Sequence, residues 1–238
     1  MQPREIIDTT VIPGGGEMVL TRESGDWVIR VDGHPLMSSR AHGSEQTLAQ
    51  LACGPIRDRP GVRVLVGGLG LGYTLRAALD AVKPDASVVV VELAPAVVTW
   101  NRGPLGPLAN HPLGDGRVSV IEGDVGDVIR GASAAFDTIL LDVDNGPSPL
   151  TRSSNQWLYT SAGLSAARRA LRSSGILAVW SAGPDVGYEA RLRRAGFSVE
   201  VHTVFARGNV RRGSRHTLIV GRLTSPHPSG RRDHKSKL

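Results

Sequence analysis

Four short runs carry the strongest apolar signal in the chain: RVLVG (63–67), SVVVVE (87–92), RVSVIEG (117–123) and FDTILLD (136–142). They are rich in Val, Ile and Leu and lack clean alternation, the pattern of strands buried on both faces of a parallel sheet. Between them the spacing of apolar positions lengthens to that of helices, in YTLRAALDAV (73–82), PAVVTWNR (95–102) and a short GDVIR turn (126–130). A helix near 159–172, a strand GILAVW (175–180), a helix over 184–195 and strands FSVEVHTV (197–204) and RHTLIVG (215–221) complete the series. The alternation predicts an α/β fold with a doubly wound, seven-stranded, mostly parallel sheet. ARGNVRRG joins the last two strands without a helix, so they form an antiparallel hairpin at one edge.

The first fifty residues follow a different pattern. MVLTRES and WVIRVDG flank the turn Gly25-Asp26, and Trp27, Ile29 and Val31 alternate onto one face, which predicts a β-hairpin over 17–31. SEQTLAQLAC (44–53) reads as a short helix with Ser44 as its N-cap. The expected organisation is therefore a β-hairpin and helix subdomain (1–54), a sheet domain (55–222) and a disordered tail (223–238).

Composition narrows the function classes. Forty per cent of the 238 residues are hydrophobic, enough for a sizeable core. No run approaches the roughly 20 apolar residues of a membrane span, and MQPREIIDTTVIPGGGE lacks the apolar centre of a secretory signal. A single cysteine, Cys53, forms no internal disulfide and reads as a buried apolar residue. These features point to a cytoplasmic protein. The formal charge is +6, but +4 of it lies between Arg222 and the C-terminus, so the body is nearly neutral. Aromatics are only 4%, and no basic-aromatic stripe appears outside Arg207–Arg215 and the tail, so nucleic acid is not the expected partner. The terminal Ser-Lys-Leu matches a peroxisomal address, a three-residue match that recurs by chance.

The chemistry begins in VLVGGLGLGYTLRAAL (64–79). Its glycines are spaced Gly68-x-Gly70-x-Gly72 at the end of the first sheet strand, where ligands bind in an open α/β sheet. Neither G-x-G-x-x-G nor the P-loop pattern is present, so no phosphate cradle is expected. Three acids stand at the ends of the next three strands. Glu92 is placed to accept ribose hydroxyls, Asp124 (in Glu122-Gly123-Asp124) to accept an adenine amino proton, and Asp142 ends the fourth strand. Together they describe a nucleoside site without a phosphate cradle, suited to a nucleoside carrying a sulfonium: S-adenosylmethionine (AdoMet) or its decarboxylated form.

From about residue 17 to 221 the chain resembles the spermidine synthase (polyamine aminopropyltransferase) family, a branch of the Rossmann-like, class I AdoMet-dependent methyltransferase fold. The resemblance rests on Val31-Asp32-Gly33 before a Ser-Glu-bearing helix, VLVGGLGLG, VVVVE, IEGD, and FDTILLDVDNGP followed by LYT. It implies that Glu92 holds the ribose, Asp124 the adenine, and that Asp142 lies beside an attacking amine. The chain departs from the family at diagnostic positions. Gly70 stands where the family's G-G-G-D-G-G loop has an acid that holds the donor's ammonium. Leu36 replaces the Gln of D-G-x-x-Q. Ser44, Leu48 and Gln50 replace the Asp, Tyr and last Glu of D-E-x-x-Y-x-E, while Glu45 is kept.

Gly70 removes both the repulsion toward the carboxylate of intact AdoMet and the counter-ion of a decarboxylated donor. The leading expectation is therefore methyl transfer from AdoMet to a small-molecule acceptor. Asp142 and Asp144 orient or deprotonate that acceptor, Tyr159 contributes a hydroxyl, and Glu45 and Asn145 line the acceptor side. Aminopropyl transfer from decarboxylated AdoMet to a polyamine is the alternative, and a non-catalytic adenosyl-ligand binder is a third. His42 reads as a surface histidine. Trp100, Trp157 and Trp180 read as core or pocket wall. The scattered histidines suggest no metal site. As in relatives, the N-terminal hairpin could pair two subunits as a homodimer.

Overall fold

The computed structural model describes residues 4–143, 146–147, 154–207 and 213–223. Four strands come first: β1 (Glu5–Val11), β2 (Glu17–Glu23), β3 (Asp26–Val31) and β4 (His34–Ser38). They form one antiparallel sheet in the order β1-β2-β3-β4. The expected hairpin is its centre, β2 paired with β3 from Met18↔Val31 to Glu23↔Asp26. The two outer strands escaped the sequence pattern because neither alternates cleanly: β1 is mostly exposed, and β4 is five residues long with a proline.

Next come α1 (Gly43–Cys53), β5 (Arg63–Gly67), α2 (Tyr73–Ala81), β6 (Ser87–Glu92), α3 (Pro95–Arg102), β7 (Val118–Glu122), α4 (Val125–Gly131) and β8 (Phe136–Leu141). After α5 (Ser161–Ala170) follow β9 (Leu171–Ser181), α6 (Val186–Arg194), β10 (Phe197–Phe205) and β11 (Arg215–Leu223). The second sheet has the seven strands expected, in the order β10-β11-β9-β8-β5-β6-β7. β5, β6, β7, β8 and β9 pair in parallel, and β11 runs antiparallel to both β9 and β10. The edge hairpin is paired without interruption from Phe197↔Leu223 to Phe205↔Arg215. Strand order reverses between β5 and β8, and a crevice opens there at the carboxyl ends of the strands.

Two details differ from the sequence expectation. Strand β9 begins at Leu171 rather than 175, with a register shift against β8 at Phe136/Thr138 and a left-handed Ser174. Ser44 is not an N-cap. The cap position belongs to His42, without a side-chain bond, and Ser44 is fully buried inside the first turn. Helix α1 packs against α2 and the main sheet, so it roofs the sheet domain rather than standing with the N-terminal strands. One continuous core links Leu20 and Ile29 of the small sheet to Leu48 of α1, Val64 and Val66 of β5, and Val88 and Val90 of β6. A second layer on the other face gathers Leu65, Ile139, Leu164, Leu177 and Tyr188. Cys53 is buried, and burial pushes its thiol up to about 12. Among the described residues no helix is long and apolar enough to cross a membrane.

Candidate active site

The glycine loop leaves β5 and turns into α2 directly over the strand-order reversal. Gly68 has φ +88°, and a Cβ there would lie 2.3 Å from the carbonyl oxygen of Asp142. Only glycine fits both the backbone angle and that approach. Gly72 sits at the N-terminus of α2 in the left-handed region. The Asn101 side chain donates to the Gly70 carbonyl at 2.8 Å, which ties the loop to α3.

Glu92 ends β6 and braces the loop from the other side. One of its oxygens accepts the Leu69 N–H and the other the Ala94 N–H, each at 2.9 Å. Burial raises its pKa, and those N–H donors pull in the opposite direction. Asp124 follows β7 and caps α4 by accepting the Gly126 N–H at 2.6 Å. Both acids line one cleft, with Gly68, Gly70, Asp142 and, from above, Leu36 and Met37 of β4. The cleft encloses only about 120 Å³, below the roughly 300 Å³ at the lower end of ligand sites.

Asp142 also lines a second, larger chamber of about 480 Å³, together with Glu45, Tyr73, Thr74, Trp180 and His216. Thr74 donates its hydroxyl to Asp142 at 2.5 Å. Burial pushes Asp142 up to about 6. Burial, together with the charge of Asp142, pushes Glu45 up to about 7. Two carboxylates thus face one enclosed space and resist ionising together. Gly70 and Met37 line both cavities, and a Cβ on Gly70 would meet the Met37 sulfur at 3.0 Å.

The structure thus gathers Gly68, Gly70, Glu92, Asp124 and Asp142 around the cleft and sets Glu45 beside Asp142 in the chamber. Tyr159 stands apart. It is buried against Tyr188 in edge-to-face contact, and its hydroxyl points to the Val143 carbonyl at 3.5 Å. Its aromatic body was needed to fill the second core layer, which draws it away from the crevice. Asp144 and Asn145 lie outside the described residues. His42 is half-buried and stacks on Tyr73 with ring centroids 4.3 Å apart. Trp100 is core, and its indole N–H donates to Asp8 at 2.6 Å. Trp157 stacks under the Arg130 guanidinium at 3.9 Å, and Trp180 forms a chamber wall. Sequence reasoning missed Thr74, Met37 and His216. Thr74 left a faint trace, as a hydroxyl in the first turn after the loop; the other two are ordinary strand residues by pattern.

Comparison with known proteins agrees with this fold. The chain is 30% identical over 217 residues to polyamine aminopropyltransferase 2 of Streptomyces coelicolor, a match covering 84% of this chain. It is 29% identical over 198 residues to the polyamine aminopropyltransferase of Mycobacterium tuberculosis, covering 79% of this chain. Among solved structures, the spermidine synthase from Thermotoga maritima superposes with a TM-score of 0.72 at 18% identity, over 92% of this chain and 73% of that one.

The chain is spermidine synthase-like.

A spermidine synthase solved with the transition-state analogue AdoDATO gives a TM-score of 0.71 at 19% identity, with the same coverage of both chains. The likeness to spermidine synthases is thus one of fold across nearly the whole chain. The chain spans only 37% and 36% of the length of the two curated relatives. No family model matches it.

Proposed function

We propose that this spermidine synthase-like chain transfers an aminopropyl group from decarboxylated AdoMet to a small amine. The observation that carries the reading is the pairing of Glu45 and Asp142 in the chamber that adjoins the donor cleft. Two enclosed carboxylates attract ammonium groups and repel a carboxylate. The chain binds two cationic partners in this reaction, the donor's tail and the acceptor. The counter-ion that Gly70 lacks is then supplied from the chamber side, and Met37 occupies the space a loop acid would need. The relatives' names point to the same reaction, and they outweigh the methyl-transfer expectation drawn from Gly70 alone.

Glu92 and Asp124 hold the nucleoside, using the carboxylate lone pairs their backbone bonds leave free. Asp142, at the junction of cleft and chamber, orients the amine toward the carbon beside the sulfonium. A C–N bond forms as the C–S bond breaks, the electron pair goes to sulfur, and the amine loses a proton. Asp144, Asn145 and Tyr159 are retained as proposals for shaping the acceptor side, Tyr159 through its contact with Val143 rather than by touching substrate.

Methyl transfer stays as the second reading, because the loop itself presents no acid to a donor carboxylate. Calorimetry with AdoMet, S-adenosylhomocysteine, decarboxylated AdoMet and methylthioadenosine separates the two. Aminopropyl transfer requires the decarboxylated donor to bind at least tenfold (~1.4 kcal/mol) tighter than AdoMet. The reverse order overturns it.

A further inference from the structure

Ser44 is fully buried, and its hydroxyl has three partners. It lies 2.5 Å from Glu45 Oε2, 2.9 Å from His216 Nδ1, and accepts the Trp180 indole N–H at 3.1 Å. Donor and acceptor counting restricts how these bonds run. The indole can only donate, so it occupies one hydroxyl lone pair. The other lone pair accepts from either Glu45 or His216, and the hydroxyl proton goes to the remaining one. The chain therefore runs in one of two directions. With Glu45 ionised, His216 carries its proton on Nδ1 and Nε2 bears a lone pair. With Glu45 protonated, His216 carries its proton on Nε2.

His216 lines the chamber, and its Nε2 has no hydrogen bond among the described residues. Trp180 packs edge-on against the imidazole, with centroids 4.5 Å apart, and fixes the ring plane. The charged and titratable groups sharing this space are Glu45 from α1, Tyr73 from α2, Asp142 after β8 and Arg215 beside His216 on β11. Burial lowers the His216 pKa, which favours the neutral ring.

We propose that His216 is the group that takes the proton from the acceptor amine, passing a proton through Ser44 to Glu45. This rests on the amine-acceptor reading above. In the step, the ammonium proton bonds to His216 Nε2, the Nδ1 proton moves to Ser44, and the Ser44 proton moves to Glu45 Oε2. One proton enters and one arrives on the carboxylate. The imidazole ends neutral with its tautomer reversed, and the amine lone pair is free to attack carbon. Asp142 then orients the amine and His216 deprotonates it. Ser44 is a positioning residue, too buried and too fully bonded to act as a nucleophile.

The test has two arms. In the first, ¹⁵N-histidine spectra of the whole chain, assigned with His216→Gln, follow the His216 tautomer from pH 5 to 9. The expected result is a change from the Nε2–H to the Nδ1–H form of the neutral ring as Glu45 ionises, with the change lost in Ser44→Ala. A tautomer that stays fixed in the wild type, or that switches unaltered in Ser44→Ala, overturns the relay. In the second arm, His216→Gln lowers kcat with an amine acceptor about 100-fold, the lower range for a general base, and Ser44→Ala lowers it less. Donor binding by calorimetry stays within twofold for both. Wild-type kcat in His216→Gln overturns the catalytic assignment. If the wild type turns over no amine while the tautomer switch is present, the proposed function fails and takes the catalytic role with it, and the relay stands.

Discussion

The two cavities that meet at Asp142 hold their acids in different ways. In the donor cleft, Glu92 and Asp124 accept main-chain N–H groups, from Leu69 and Ala94 for the first and Gly126 for the second. In the adjoining chamber, Glu45 and Asp142 take hydrogen bonds from side-chain hydroxyls, Ser44 and Thr74. Main-chain donors are fixed by the fold and cannot turn away. Hydroxyls rotate and can donate or accept, so the chamber's acids can exchange protons while the cleft's acids serve as rigid brackets. A single sheet thus sets a pair of acids held by fixed donors beside a pair held by groups that can turn.

The sharpest way to break this comparison is Asp142→Asn. It keeps the shape and the contact with Thr74 but removes the charge that both cavities share. Turnover with decarboxylated AdoMet and an amine is expected to fall about 1,000-fold, the loss of a charged group that orients the reacting amine, with little change in thermal stability. Near-normal turnover would show that Asp142 orients nothing.

Gly68→Ala tests the rigid side. The added Cβ would sit 2.3 Å from the Asp142 carbonyl oxygen at a φ of +88°. The expected cost is about 3 kcal/mol of stability, combining backbone strain and overpacking. Calorimetry should also find donor binding abolished. An unchanged melting temperature would mean that the loop is not the clamp described.

The pH dependence of stability tests the adjustable side. Glu45 is raised from 4.5 to about 7 and Asp142 from 3.8 to about 6. Between the unfolded and folded values the native state holds more protons than the unfolded chain, so stability falls as pH rises. The ligand-free protein should lose stability steadily from about pH 4 to about pH 8 and level off once both carboxyls are ionised in the folded state. Denaturant titrations of Glu45→Gln should show a flatter profile over that range. A rise in stability across it, with the same slope in the variant, would contradict the chamber's electrostatics.

The smallest expected effect belongs to Gly70→Asp. Its backbone φ of +51° is one that Asp tolerates better than most residues. The new carboxylate needs only the flexible end of Met37 to turn aside. The preference for decarboxylated AdoMet over AdoMet should rise about tenfold, ~1.4 kcal/mol. No change would mean that the loop position does not reach the donor's tail.

Much of the fold was legible because buried parallel strands announce themselves as unbroken Val/Ile/Leu runs. Each of the seven was visible, as were the hairpin of β10 with β11 and the central pair of the small sheet, but β7, expected to be buried on both faces, is an edge strand with no fully buried residue. Strands β1 and β4 were not, since an edge strand with solvent on one side needs no strict alternation. The clustering of three acids was legible for a related reason: Glu92, Asp124 and Asp142 stand at strand ends, and the fold gathers strand ends around one cleft.

The sequence by itself determined the sheet, the glycine loop and the acids that must gather at its carboxyl edge, because these depend on local period and on one topological rule. Only the tertiary structure decided the chamber. Ser44, Glu45, Thr74, Trp180 and His216 come from α1, α2, β9 and β11 and converge through packing between elements distant in the chain. It also turned the Tyr159 ring into the core beside Tyr188, with its hydroxyl on the Val143 carbonyl. A residue's distance along the chain does not reveal which side chains share a buried space. The raised pKa values of Glu45 and Asp142 arise only once that space has been closed.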